Sequence, residues 1–157
     1  MDSRALGRKS KRKGKSGELE VAHLYQDIGY KARRTSQYCG SSGDASDVTG
    51  VPYIHIEVKR QEKMNLYDWL EQAKRDSQGT DNVPVVHYRQ SRKGWRVLLE
   101  CKDLHRIFTE SGMKRLPVIF SLEVEAKFDH PVIATLDFDA WAEIYKEWEA
   151  SKSLPNF

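Results

Sequence analysis

The chain has 157 residues, with 26 lysines and arginines against 23 aspartates and glutamates, for a net charge of +3. That length suits one domain with an ordinary core, and a composition of 39% hydrophobic and 10% aromatic residues excludes wholesale disorder. No apolar run of about 18 residues is present to span a membrane, and no apolar stretch follows the basic N-terminus as a secretory signal requires.

The charge is unevenly placed. Residues 1–15 hold seven bases (Arg4, Arg8, Lys9, Lys11, Arg12, Lys13, Lys15) and one acid, Asp2, whereas the remainder holds 19 bases and 22 acids. Like charges without apolar periodicity predict a disordered basic arm over 1–15 that orders on an anion. Nucleic-acid phosphate is the anion that counterion release favours, with Lys9, Lys11, Arg12, Lys13 and Lys15 as candidate contacts.

Residues 16–157 read as a single domain. Val21, Leu24, Tyr25 and Ile28 predict an amphipathic helix over 16–28, closed by Gly29. Residues 30–35 read as a short strand carrying Arg33 and Arg34, followed by a Gly/Ser-rich loop from Cys39 to Asp47 and a second strand starting at Asp47-Val48. Residues 53–59 alternate: Ile54, Ile56 and Val58 on one side, Tyr53, His55, Glu57 and Lys59 on the other. A helix over 66–78 follows, with Leu66, Trp69, Leu70 and Ala73 on its apolar face. Residues 83–89 and 95–100 predict a hairpin, and a helix over 103–110 has Asp103 as its cap. Strands over 117–126 and 131–136 and a helix over 139–150 complete the chain. Trp141, Tyr145 and Trp148 on that helix are a candidate dimer surface. The order implies an α/β fold, a mixed central sheet flanked by helices.

Cys39 and Cys101 form no spacing pattern, so free thiols in a reducing, cytoplasmic compartment are expected. The five histidines form no zinc-like cluster.

Chemistry concentrates at Glu57-Val58-Lys59. Residues i and i+2 of a strand share a face, so a carboxylate and an ammonium project side by side from a stiff platform. Such a carboxylate can hold a hard cation such as Mg²⁺, and the lysine can orient a water on it. Glu-x-Lys occurs three times, at Glu57, Glu100 and Glu125. Only Glu57 has acids about ten residues upstream, Asp47 and its competitor Asp44, within reach of a hairpin. Glu18, near the start of the first helix, is a further acid.

Gly14-x-x-Gly17-Glu18, Arg34, Ser42-Gly-x-x-x-Asp47-Val48 and Ile56-Glu57-Val58-Lys59 together resemble the PD-(D/E)xK nuclease superfamily, and within it the archaeal-type Holliday junction resolvases and their phage relatives. The resemblance covers roughly residues 14–100. Ser46 stands where the superfamily usually has a proline, and residues 101–157 have no counterpart.

The resemblance implies a restriction-endonuclease-like αβββαβ core over about 16–111 with an extension over about 112–157. It implies Mg²⁺, with Mn²⁺ as substitute, held by Asp47, Glu57 and the Val58 carbonyl, with Glu18 holding a second cation or a metal water. Lys59 would position the attacking water and stabilise the transition state, Gln72 would lie over the site, and Arg34 and Ser42 would approach phosphate. The implied activity is endonucleolytic cleavage of branched DNA in recombination, by a homodimer that cuts symmetrically; a phage origin is compatible. The same residues leave open a nicking, restriction-type or exonucleolytic enzyme, or a non-catalytic nucleic-acid-binding protein on this fold.

Overall fold

The alternating segment is the spine of the molecule. It forms β3 (Ile54–Arg60), which sends Ile54 and Ile56 into an apolar cluster and leaves His55, Glu57 and Lys59 on the opposite face. The computed structural model describes residues 3–35, 46–115 and 121–154. Around β3 lie β1 (Arg33–Arg34), β2 (Val48–Thr49), β4 (Val83–Arg89), β5 (Arg96–Glu100), β6 (Glu123–Glu125) and β7 (Ile133–Asp137), in the order β1-β2-β3-β4-β5-β7-β6. Every pairing is antiparallel except β3 with β4, which are joined through the crossover helix α2 (Leu66–Asp76). The mixed α/β sheet expected from the order of elements is therefore present.

Helices cover both faces. On one, α1 (Ser3–Asp27), α3 (Cys101–Ser111) and α4 (Phe138–Lys152) bury Val21, Tyr25, Ile107, Trp141 and Trp148 against Ile56, Val85, Leu99 and Leu136. On the other, α2 lays Trp69, Leu70 and Ala73 over Val86, Tyr88 and Leu98. The polar side of β3 thus lies beneath α2. Strand β7 and helix α4 join the same sheet and the same apolar cluster as the preceding elements.

Several expectations need correction. The residues expected to form a separate disordered arm are helical from Ser3 and continuous with the packed part of α1. Packing of Val21, Ala22 and Tyr25 supplies the costly nucleus, after which each added residue gains a hydrogen bond, and lysine and arginine are good helix formers. Trp141, Tyr145 and Trp148 are not a surface; all three are almost fully buried. The Trp141 indole N–H donates to the Tyr25 hydroxyl at 2.9 Å, leaving the hydroxyl hydrogen for His87 Nε2 at 2.6 Å. Burial pushes His87 down to about 3, so its ring is neutral and able to accept. Helix α3 starts at Cys101 with Glu100 in the capping position, and Asp103 lies inside the first turn. Of the strand expected over 117–126, the described part is β6 alone.

The turn into β3 is tightly constrained. Tyr145 Oη donates to the Pro52 carbonyl at 2.7 Å, and Gly50 adopts φ +85° with its α-carbon against the chain at residues 31–32. A Cβ there would lie 2.1 Å from the Lys31 carbonyl oxygen. Gly50→Ala is expected to lower stability by about 3 kcal/mol through strain and clash together, read as a lower midpoint in chemical denaturation.

Candidate active site

The site forms where β2 stops. Val48 pairs with Ile56, and the Asp47 N–H donates to the Ile56 carbonyl at 2.8 Å. Beyond that point the edge of β3 is taken up by a side chain: Asp47 Oδ2 accepts the Val58 N–H at 2.8 Å. Ser46 fixes the approach. Its buried hydroxyl accepts the Ile56 N–H at 2.9 Å and lies 2.9 Å from the Val48 carbonyl oxygen, so hydrogen bonds stiffen the residue that leads into Asp47.

Glu57 and Lys59 share the strand face, with Lys59 Nζ 3.0 Å from Glu57 Oε1. Gln72 on α2 spans the pair: its amide N–H donates to Glu57 Oε1 at 3.0 Å and its carbonyl accepts from Lys59 at 2.8 Å. Glu18 arrives from α1 in the opposite helical layer and is paired with the Arg34 guanidinium.

The electrostatics record a surplus of negative charge. Burial, then the Glu57 charge and more weakly the Glu18 charge, push Asp47 up to about 7, against the opposing pull of the Val58 N–H and Lys59. Burial also raises Glu57; Lys59 pulls it back, while Asp76 and Glu18 push it up. Asp47 keeps an oxygen not used by the Val58 bond, and Glu57 keeps one not used by Lys59 and Gln72. Hard oxygen donors under mutual repulsion suit a divalent cation of the Mg²⁺ or Mn²⁺ kind.

Glu57, Lys59 and Gln72 are therefore in direct contact, with Asp47 on the intervening Val58 N–H and Glu18 near enough for its charge to act on both acids. Arg34 is directed to Glu18 rather than outward, and Val58 gives its N–H to Asp47 and its side chain to the apolar cluster. Ser42, Asp44 and Cys39 lie outside the described residues. Lys9, Lys11, Arg12 and Lys15 stand exposed on the N-terminal half of α1, whereas Lys13 pairs with Glu62 at 3.1 Å. The competing triplets are occupied elsewhere: Glu100 is held by Lys74 and Lys102, and Lys127 lies over the Tyr67 ring on the β6 side of the sheet.

Two residues escaped the sequence reading. Ligand atoms of His55, Glu57 and Asp76 lie within 4.8 Å of one another, a mixed imidazole–carboxylate set able to hold a cation. The available signal was spacing: His55 precedes Glu57 by two on the strand, and Asp76 follows Gln72 by four on α2, so both repeat the face of a residue already singled out.

Residues 9–150 match the family model described as "Phage putative PDDEXK endonuclease". No curated protein matches the sequence. A solved structure of Hjc, a Holliday junction resolvase from the archaeal hyperthermophile Archaeoglobus fulgidus, aligns with 83% of this chain and 97% of its own at 17% identity, with a TM-score of 0.46. No helix among the described residues is long and apolar enough to cross a membrane.

Because the folded state holds a proton on Asp47 that the unfolded chain releases near its ordinary 3.8, this residue's contribution to stability falls as pH rises from about 4 to about 7. The depressed His87 acts in the opposite sense, losing stability as pH falls below its ordinary 6.5. Asp47→Asn isolates the first effect. Without divalent metal, its thermal midpoint is expected to exceed that of the wild type at pH 7 and to converge with it near pH 4.

Proposed function

The chain belongs to the phage PD-(D/E)xK endonuclease family, and from that premise we propose that it hydrolyses phosphodiester bonds of DNA in a reaction dependent on Mg²⁺, with Mn²⁺ able to substitute. The observation that carries this reading is Asp47, bound to the Val58 N–H at the edge of β3 and near enough to Glu57 that burial first, and then the Glu57 charge, raise its proton affinity. In this reading Asp47, Glu57 and the Val58 carbonyl hold the cation, and Glu18 holds a second cation or a bound water. The cation supplies Lewis-acid polarisation of the phosphate and a water of lowered pKa.

The protein's own residues do the rest. Lys59, anchored between Glu57 and Gln72, keeps its ammonium fixed where negative charge grows on the phosphoryl oxygens, and it orients the attacking water. A preset donor of this kind needs no reorganisation during the reaction. Gln72 positions both partners of that pair, and Arg34 positions Glu18. Branched DNA as substrate, and a homodimer to cut it symmetrically, rest on the residue pattern from Gly14 to Lys59.

Cleavage of a panel of four-way junctions, flaps, linear duplexes and single strands, with and without Mg²⁺, tests the reading. Asp47→Ala, Glu57→Ala and Lys59→Ala are each expected to reduce cleavage at least about a hundredfold while DNA binding changes little. Full cleavage by the Glu57→Ala protein contradicts the assignment.

A further inference from the structure

Toward its N-terminus from Glu18, helix α1 continues for four turns. Residues 3–12 are exposed throughout, whereas Gly17, Val21, Ala22 and Tyr25 are buried. At 3.6 residues per turn, positions 4, 8, 11, 15 and 18 fall along one stripe. Arg4, Arg8, Lys11 and Lys15 therefore stand in line with Glu18, over a distance of about 21 Å at 1.5 Å per residue. Lys9 and Lys13 lie on the far side of the helix, and Lys13 is engaged there by Glu62.

Two glycines border the stripe. Gly7 and Gly14 are seven residues apart and share a side of α1 with Val21 and Tyr25. Packing accounts for Gly17, where an added Cβ would meet Arg60, Trp95 and Val58 at 3.3–3.5 Å. At Gly7 and Gly14 an added Cβ would meet nothing within 4 Å. Both weaken the helix relative to alanine, and no described neighbour requires them to be small. Bare backbone beside a row of cations is a surface that a sugar–phosphate strand can approach closely.

We propose that this face of α1, with Arg4, Arg8, Lys11 and Lys15 flanked by Gly7 and Gly14, is a track for one phosphate backbone of a DNA duplex leading to the Asp47–Glu57 site. The identity of the ligand rests on the nuclease reading above. The helix thus does more than carry charge. It sets the line along which the duplex enters, and Glu18 marks where that line meets the catalytic carboxylates.

The test is a salt titration of duplex DNA binding by the full chain in divalent-free buffer, comparing wild type with three variants. Lys11→Gln/Lys15→Gln and Lys9→Gln/Lys13→Gln remove the same charge from opposite sides of the helix. The first is expected to make the slope of log affinity against log salt shallower by about 1.8, and the second by less than a third of that. Gly7→Leu/Gly14→Leu leaves the charge unchanged and strengthens the helix, yet it is expected to weaken binding about tenfold by blocking the strand, with circular dichroism showing helix content at or above that of the wild type.

Equal slopes for the two charge variants, or wild-type binding by the leucine variant, overturn the track and leave an undirected basic tail. A wild type without salt-dependent affinity for duplex overturns it as well. Cleavage is not read in this titration, so failure of the nuclease reading, seen as no Mg²⁺-dependent product from the wild type, is distinguishable from failure of the track.

Discussion

The hydrogen bond from the Val58 N–H to the Asp47 carboxylate is the contact around which the rest of the site is arranged. It lets a side chain replace a strand at the edge of β3, and so it sets one acid beside another, Glu57, in a half-buried place. Two such charges repel, and water is partly excluded from screening them. Burial first, and the Glu57 charge second, raise the proton affinity of Asp47. Ser46 holds the start of β2 against β3, and Gly50 and the Tyr145 anchor on Pro52 hold the short β2–β3 connection.

The sheet explains how residues from distant parts of the chain meet there. Strand β3 presents Ile54 and Ile56 to the layer of α1, α3 and α4, and His55, Glu57 and Lys59 to α2. Because β2 is so short, the described partner of β3 at Val58 is the Asp47 side chain and not a strand. Glu18 enters from one layer and Gln72 from the other, each on a helix anchored by its own apolar face. Strand and helix positions therefore set Glu57, Lys59, Glu18 and Gln72, whereas Asp47 stands just before β2 and is held by its bonds to Ile56 and Val58. The same anchoring fixes the direction of α1, so its basic N-terminal half points along a defined line.

How much of this was legible in the sequence depended on the range of the interactions. Alternation over residues 53–59 identified the strand and the shared face of Glu57 and Lys59, because a period of two is local. The ten-residue return to Asp47 was legible because a hairpin is local too. The helical state of residues 3–15 was not: mutual repulsion of their charges is visible in the sequence, but the nucleus that overcomes it is the packing of Val21 and Tyr25 on a sheet assembled later. Trp141, Tyr145 and Trp148 were misplaced for a related reason, since a helix period shows that aromatics share a side and not what covers it. Spacing places His55 and Asp76 on the faces of Glu57 and Gln72, but that their ligand atoms meet depends on the register of α2 against β3.

The central claim is that Asp47 and Glu57 are held together for a divalent cation. Calorimetric titration with Mn²⁺ at about pH 6, in buffers of differing ionisation enthalpy, counts the protons released on binding. That arrangement predicts release of about one proton per cation from the wild type, drawn mainly from the Asp47 carboxyl with its affinity raised to about 7, and markedly less from Asp47→Asn. Binding without proton release, or equal binding by the Asp47→Asn protein, would contradict it.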